Sequence, residues 1–217
     1  MKMKILIKYK YLIFPVNKYA SEKKLTLSDS LNGEYKLKIR LDNLSPDFDA
    51  YVDVSRFIGR EISVSAEPNM EIRFKESDTM DIPGIYTEDY RPQIHFTTRN
   101  GWLNDPNGLI FIDGKYHMFY QHNPCEPRWG NMHWGHAISK DLIHWENRPI
   151  ALYPDMQGTI YSGSAFIDEN NVSGLGEGGE PPILFFYTYN IKGRTQNIAY
   201  STDGGMTLKN YEGGPAV

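Results

Sequence analysis

Cysteine is almost missing from this sequence. Cys125 is the one thiol in 217 residues, so no internal disulfide can form and a reducing compartment is permitted. Excess basic charge is missing as well. Lysine and arginine number 23 against 27 Asp and Glu, a net charge of −4 with a pI near 5.9, which leaves no footprint for nucleic acid. Long apolar runs are also lacking. Met1-Lys2-Met3-Lys4 has the basic start of a signal peptide, but Lys8, Lys10 and Pro15 interrupt the apolar stretch after it, and nothing approaches membrane-span length. A cytoplasmic chain with no membrane partner is expected, secretion being the alternative. Metal-ligand spacing is lacking too. His133 and His136 would face opposite sides of a strand, and no carboxylate or cysteine completes a set; His95, His117, His122 and His144 are scattered. The glycines of residues 174–179 are not followed by Lys-Ser/Thr and have no strand–helix setting, so they read as a loop. No metal and no cofactor is expected, and composition leaves the oligomeric state open.

Turn formers and aromatics are plentiful. Nineteen Gly and 13 Pro, with 15 Tyr, 10 Phe and 4 Trp, fit an all-β chain with many turns. Residues 4–14 alternate and read as one strand. Residues 23–27 and 35–41 alternate as well, and Asn32-Gly33 between them signals a hairpin. Residues 50–54 and 61–65 read as further strands and 71–74 as a last short one. A small sandwich-like module is therefore expected over residues 1–76, followed by a linker over 77–90 centred on Pro83-Gly84.

A weak internal repeat comes next. The hairpin of residues 109–120, turning at Asp113-Gly114, is echoed by residues 164–187. His136-Ala137-Ile138-Ser139-Lys140-Asp141 is echoed by Ile198-Ala199-Tyr200-Ser201-Thr202-Asp203. Tandem four-stranded units of this kind are the pattern of propeller blades, one over residues 91–155 and another over 156–217.

Chemistry concentrates in Trp102-Leu103-Asn104-Asp105-Pro106-Asn107-Gly108. Pro106 and Asn107-Gly108 make it read as a turn between strands, and a polar loop is the plain reading. The functional alternative is a carboxylate with an amide on each side, held at a strand end beside aromatic surface as a nucleophile for sugar chemistry.

Three further segments extend the pattern: Tyr120-Gln121-His122-Asn123-Pro124, Trp129-Gly130-Asn131-Met132-His133-Trp134-Gly135-His136-Ala137 and Tyr161-Ser162-Gly163-Ser164. Together, in this order and spacing, they resemble glycoside hydrolase family 32, the family of invertases, levanases and inulinases. The resemblance runs from about Arg91 to Val217. It implies an all-β catalytic domain, a five-bladed β-propeller of which 91–217 would supply the first two blades in a truncated chain. The module before it resembles the N-terminal β-domain of some levan-degrading relatives.

The resemblance also implies roles. Asp105 would be the nucleophile of a retaining β-fructofuranosidase acting on sucrose, levan or inulin. Asn104 and Gln121 match positions that hydrogen-bond sugar hydroxyls; a strand-end amide is otherwise a satisfied surface group. Trp129 and Tyr161 match aromatic walls of the pocket, with core packing as the alternative, and Ser162 matches a hydroxyl near the fructosyl group. Family members also carry an acid/base Glu in a Glu-Cys motif and an Asp in Arg-Asp-Pro. Neither motif occurs here, and Cys125-Glu126 is reversed. The 217 residues alone are expected not to turn substrate over. A fructosyltransferase using the same nucleophile and a non-catalytic sugar-binding remnant are the alternatives.

Overall fold

The computed structural model describes residues 2–31, 33–155, 158–190 and 193–216. They fall into two compact units. One comprises Met1–Asp89 with Asn100–Trp102 and Asn123–Asn131; the other comprises Tyr90–Arg99, Leu103–His122 and Met132–Val217. Both are built from antiparallel strands, and no described helix is long and apolar enough to cross a membrane.

In the first unit, β1 (Lys2–Leu6), β3 (Lys23–Asp29), β4 (Gly33–Ile39) and β6 (Glu61–Glu67) form one sheet in the order β1-β6-β3-β4. Strands β2 (Tyr11–Val16), β5 (Phe48–Asp53) and β7 (Lys75–Ser77) form another, β5-β2-β7. Period-two patterning decides which side of each strand is buried. On β4, Tyr35, Leu37 and Ile39 are buried while Lys36 and Lys38 are not. The hairpin closes on the pair Asp29 and Gly33; its Asn32 lies outside the described residues.

Two expected strands are corrected here. Residues 4–14 are not one strand, because the chain leaves β1 at Ile7, bonds to Gly59 and Arg60, and re-enters as β2. Residues 71–74 are irregular, and the short strand lies at β7 instead. Alternation alone cannot show where a strand changes sheet.

The second unit holds two four-stranded sheets. Strands β8 (Trp102–Ile112), β9 (Lys115–Asn123), β10 (His133–Ser139) and β11 (Trp145–Leu152) are ordered β11-β10-β9-β8. Strands β12 (Thr159–Ile167), β13 (Ile183–Asn190), β14 (Arg194–Ser201) and β15 (Lys209–Asn210) are ordered β12-β13-β14-β15. This is the tandem of blade-like units expected from the repeat. Asp113 and Gly114 take the positive φ values, 48° and 73°, that a tight two-residue hairpin needs. Between the sheets, Phe119, Trp134, Leu152, Ile160, Ile183, Phe185, Tyr187 and Ala199 make one buried core.

The repeat also has a common fastening. Ser139 Oγ donates to Asp141, whose carboxylate accepts the Ile143 and His144 backbone N–H groups. Ser201 Oγ donates to Asp203, which accepts those of Met206 and Thr207. In each sheet this turn closes the end of the third strand. The His144 imidazole and then these backbone bonds hold the Asp141 carboxyl below the usual carboxylate range; at Asp203 burial pulls upward, and the hydrogen bonds outweigh it to hold that carboxyl low as well.

The correction with most consequence concerns Trp102 to Gly108. It is not a turn but the first half of β8. β8 lies at the end of its sheet order, and an edge strand is where proline can be accommodated, since its missing N–H costs no ladder bond. Gly108 keeps a φ of 51°, so the strand bends without breaking.

The first sheet buries a pair of imidazoles. His136 Nε2 lies 3.2 Å from His117 Nδ1, and Phe119 stacks on His136 at 4.2 Å. Burial pushes the His136 imidazole down to about 3, aided by His117 and by Arg148, against the opposing pull of Asp203. Burial lowers His117 as well, with Lys115 and Arg148 adding to it and Asp113 opposing. Both are therefore neutral in the folded chain, while an unfolded histidine takes a proton below its ordinary 6.5. This contribution is complete above that value and is lost as pH falls toward the folded value. Stability should drop by about 1.5 kcal/mol between roughly pH 6.5 and pH 5, above the range where most carboxylates titrate. Urea melts of wild type and His136→Phe across that interval check it; equal pH slopes in the two proteins would show that the pair is not responsible.

Candidate active site

β8 passes from solvent into the core within a few residues. Asn104, Asp105 and Pro106 are exposed, whereas Asn107 and Gly108 are buried. Residues two apart on a strand share a face, so Asp105 and Asn107 point the same way. Both meet β12. Ser162 Oγ donates to Asp105 Oδ2 at 2.8 Å, and the Gly163 N–H donates to Asn107 Oδ1 at 3.3 Å.

These bonds depend on an irregularity in β12. Its register against β13 shifts between Ile160 and Gly163, leaving Tyr161 and Ser162 outside the ladder. The freed groups serve the first sheet instead. Tyr161 C=O accepts the indole N–H of buried Trp134 at 3.0 Å, and Ile160 N–H donates to Met132 C=O. Two glycines make the approach possible. A Cβ on Gly163 would stand 1.9 Å from the Phe186 carbonyl oxygen, and one on Gly108 would crowd Phe119, Trp134 and Phe185.

The Asp105 carboxylate is thus fixed through one oxygen by a neutral hydroxyl, while Oδ1 accepts from no described residue. A solvent-facing carboxylate held this way can attack an electrophilic carbon above it.

The other expected site residues divide. Gln121 lies on β9, buried opposite Trp134, and its Nε2 has no acceptor among the described residues. Tyr161 is partly buried, and its hydroxyl accepts from Asn190 Nδ2 at 2.7 Å. Asn104 is exposed beside Asp105. Trp129 belongs to the other compact unit, in the segment 123–131, and is 65% exposed. Core packing is therefore not its role. Sequence patterning does not single out Asn107, although it is the buried amide linking β8 to β12, and its Nδ2 has no partner among the described residues. Its place two residues after Asp105 is the one signal that points to it.

Five other acids of this region are committed elsewhere. Asp155 accepts from Tyr189, Asp168 from the Val172 and Ser173 N–H groups, and Asp141 and Asp203 fasten their turns. Glu126 is buried against Arg40. Among the described residues no group of three His, Cys, Asp or Glu could hold a metal.

Comparison with known proteins gives this geometry a context. The family model described as glycosyl hydrolases family 32 N-terminal domain matches residues 95–217. A levanase of Bacillus subtilis is 54% identical over 133 residues, which is 61% of this chain and 20% of the levanase. The β-fructofuranosidase of Schwanniomyces occidentalis, solved with fructosyl-erythritol, is 40% identical with a TM-score of 0.59, covering 64% of this chain and 29% of that one. A family 32 structure from Bifidobacterium adolescentis follows 96% of this chain and 39% of its own at 23% identity and a TM-score of 0.52, a likeness of fold. The chain spans about a fifth of the levanase's length.

The seam carries a clear expectation. Gly163→Ala should cost at least about 3 kcal/mol, because β12 must leave β13 to clear the Phe186 carbonyl, while Ser162→Ala should cost about 1 kcal/mol. Denaturant melts of both variants check the order; a Gly163→Ala protein as stable as Ser162→Ala would refute the close approach.

Proposed function

The chain belongs to glycosyl hydrolases family 32, and on that premise we propose that it acts on β-fructofuranosides with retention, Asp105 being the nucleophile. The observation that carries this is the Asp105–Ser162 pair: an exposed carboxylate with one oxygen tied at 2.8 Å and the other available. The carboxylate attacks the anomeric carbon of the fructosyl unit as the bond to the leaving oxygen breaks. A protonated carboxylic acid delivers a proton to that oxygen, and its conjugate base then activates the water that releases fructose. Ser162 keeps the attacking carboxylate from rotating away from the anomeric carbon.

The sugar is held by hydrogen bonds and flat apolar surface. Asn104 and Gln121 offer amides to ring hydroxyls, and the buried Nε2 of Gln121, without a partner among the described residues, supports that assignment. Trp129 and Tyr161 offer aromatic faces to the C–H face of a furanose. Sucrose and fructans are the substrates proposed, in keeping with relatives named levanase and β-fructofuranosidase.

None of the carboxylates traced above is placed to act as the acid, since each is engaged in a local bond. General acid–base catalysis supplies roughly 10²–10⁴-fold. The 217 residues alone should accordingly release no fructose above buffer from sucrose or levan. A chain extended to the length of its curated relatives should be active, and the Asp105→Asn variant of that extended chain should fall to background with an unchanged circular dichroism spectrum. Turnover by the 217-residue chain would reveal an acid among its own residues, and an active Asp105→Asn protein would remove the nucleophile.

A further inference from the structure

The bulge in β12 leaves Tyr161 outside the ladder, and the residue is pinned at both its root and its tip. Its carbonyl accepts the Trp134 indole N–H at 3.0 Å, which anchors the backbone. At the far end of the ring, the hydroxyl accepts from Asn190 Nδ2 at 2.7 Å. Asn190 is itself fixed as the last residue of β13, with Thr159 opposite it on β12 and Arg194 on β14. A ring held in this way loses little further freedom when a ligand settles against it.

What sets this hydroxyl apart is its proton. The tyrosines buried on β13 spend theirs inside the sheet: Tyr187 donates to Asn210 Oδ1 at 3.2 Å and Tyr189 to Asp155 Oδ2 at 2.8 Å. Tyr161 does not donate to Asn190, because that bond runs the other way, from an amide N–H that cannot accept. Conjugation with the ring keeps a phenol hydrogen near the ring plane, where two positions are open to it. The amide hydrogen faces one of them and leaves the other. No described residue accepts the proton that remains. Tyr161 is only partly buried, and it directly precedes Ser162, whose Oγ holds the Asp105 carboxylate. A directed donor therefore stands one residue from the group that fixes the nucleophile.

We propose that Tyr161 donates a hydrogen bond to a hydroxyl of the bound fructoside, and that Asn190 is the positioning residue that aims its proton. This rests on the reading of Tyr161 as an aromatic wall of the fructoside site, and adds a polar contact to that wall. Asn190 touches no substrate in this scheme. It occupies one side of the phenol oxygen and so fixes the way the O–H faces. The contact is to a spectator hydroxyl and not to the breaking bond, so it is made equally in the ground and transition states. Its loss is felt in KM.

The test uses a chain extended to the length of its curated relatives, with kcat and KM read separately on sucrose and on methyl β-D-fructofuranoside. Tyr161→Phe, which keeps the ring, should raise KM on sucrose about fivefold and change kcat less than about twofold. Asn190→Asp puts an acceptor where the donor was, so the phenol proton turns to the carboxylate and KM should rise as far as in Tyr161→Phe. Added to Tyr161→Phe, the same substitution should change KM less than about twofold, since the proton it diverts is already gone. A penalty kept on methyl β-D-fructofuranoside assigns the partner hydroxyl to the fructosyl ring, and a penalty lost there assigns it to the leaving sugar. An unchanged KM in Tyr161→Phe on sucrose would overturn the proposal. So would an equal penalty from Asn190→Asp in the phenylalanine background, which would trace its effect to charge alone. Tyr161→Ala separates the two readings. An unchanged KM there brings down the aromatic wall and this inference with it, whereas a raised KM there beside an unchanged Tyr161→Phe brings down this inference alone. An extended chain with no turnover brings down the proposed function itself.

Discussion

An indole buried in a protein core must find an acceptor for its N–H, and much of the second unit is a consequence of how Trp134 does so. Trp134 is fully buried between the two sheets, and its acceptor is the carbonyl of Tyr161. A carbonyl spent on an indole is withdrawn from the ladder with β13, and the register shifts at that point. The shift turns Ser162 and Gly163 toward β8, where Asp105 and Asn107 receive them. Core packing, sheet irregularity and the orientation of a reactive carboxylate are three aspects of one constraint.

Much of this can be read from the residues. The hairpin at Asp113-Gly114, the two four-stranded units and the repeated Ser-X-Asp segments are all legible, because each rests on local rules: period two, positive-φ turn residues, short side chains that accept backbone N–H groups. Asp105 and Ser162 are both visible as candidates; their hydrogen bond is not, since 57 residues separate them and only the β12 bulge joins them.

Other features are hidden for a physical reason. Pro106 and Asn107-Gly108 carry every local mark of a turn, yet the segment is strand, because an edge position removes the objection to proline and Gly108 absorbs the bend. The break between β1 and β2 lies inside a continuous alternation, where the switch of sheet is dictated by Gly59 and Arg60 far along the chain. The fastening of residues 123–131 cannot be found by spacing at all. Glu126 and Arg40 are 86 residues apart, and a lone Glu beside a Cys suggests a motif read backwards more readily than a buried ion pair.

The side chain of Asn131 has a consequence beyond holding a loop. β4 ends its sheet order, and the edge of such a strand is a row of N–H and C=O groups on which another extended chain can grow. Asn131 occupies both groups of Lys38, and Glu126 takes the N–H of Arg40 two residues on. Successive sites for a further strand are thereby filled by side chains, which cannot propagate a sheet. At these positions the edge offers no free backbone group on which a second extended chain could grow.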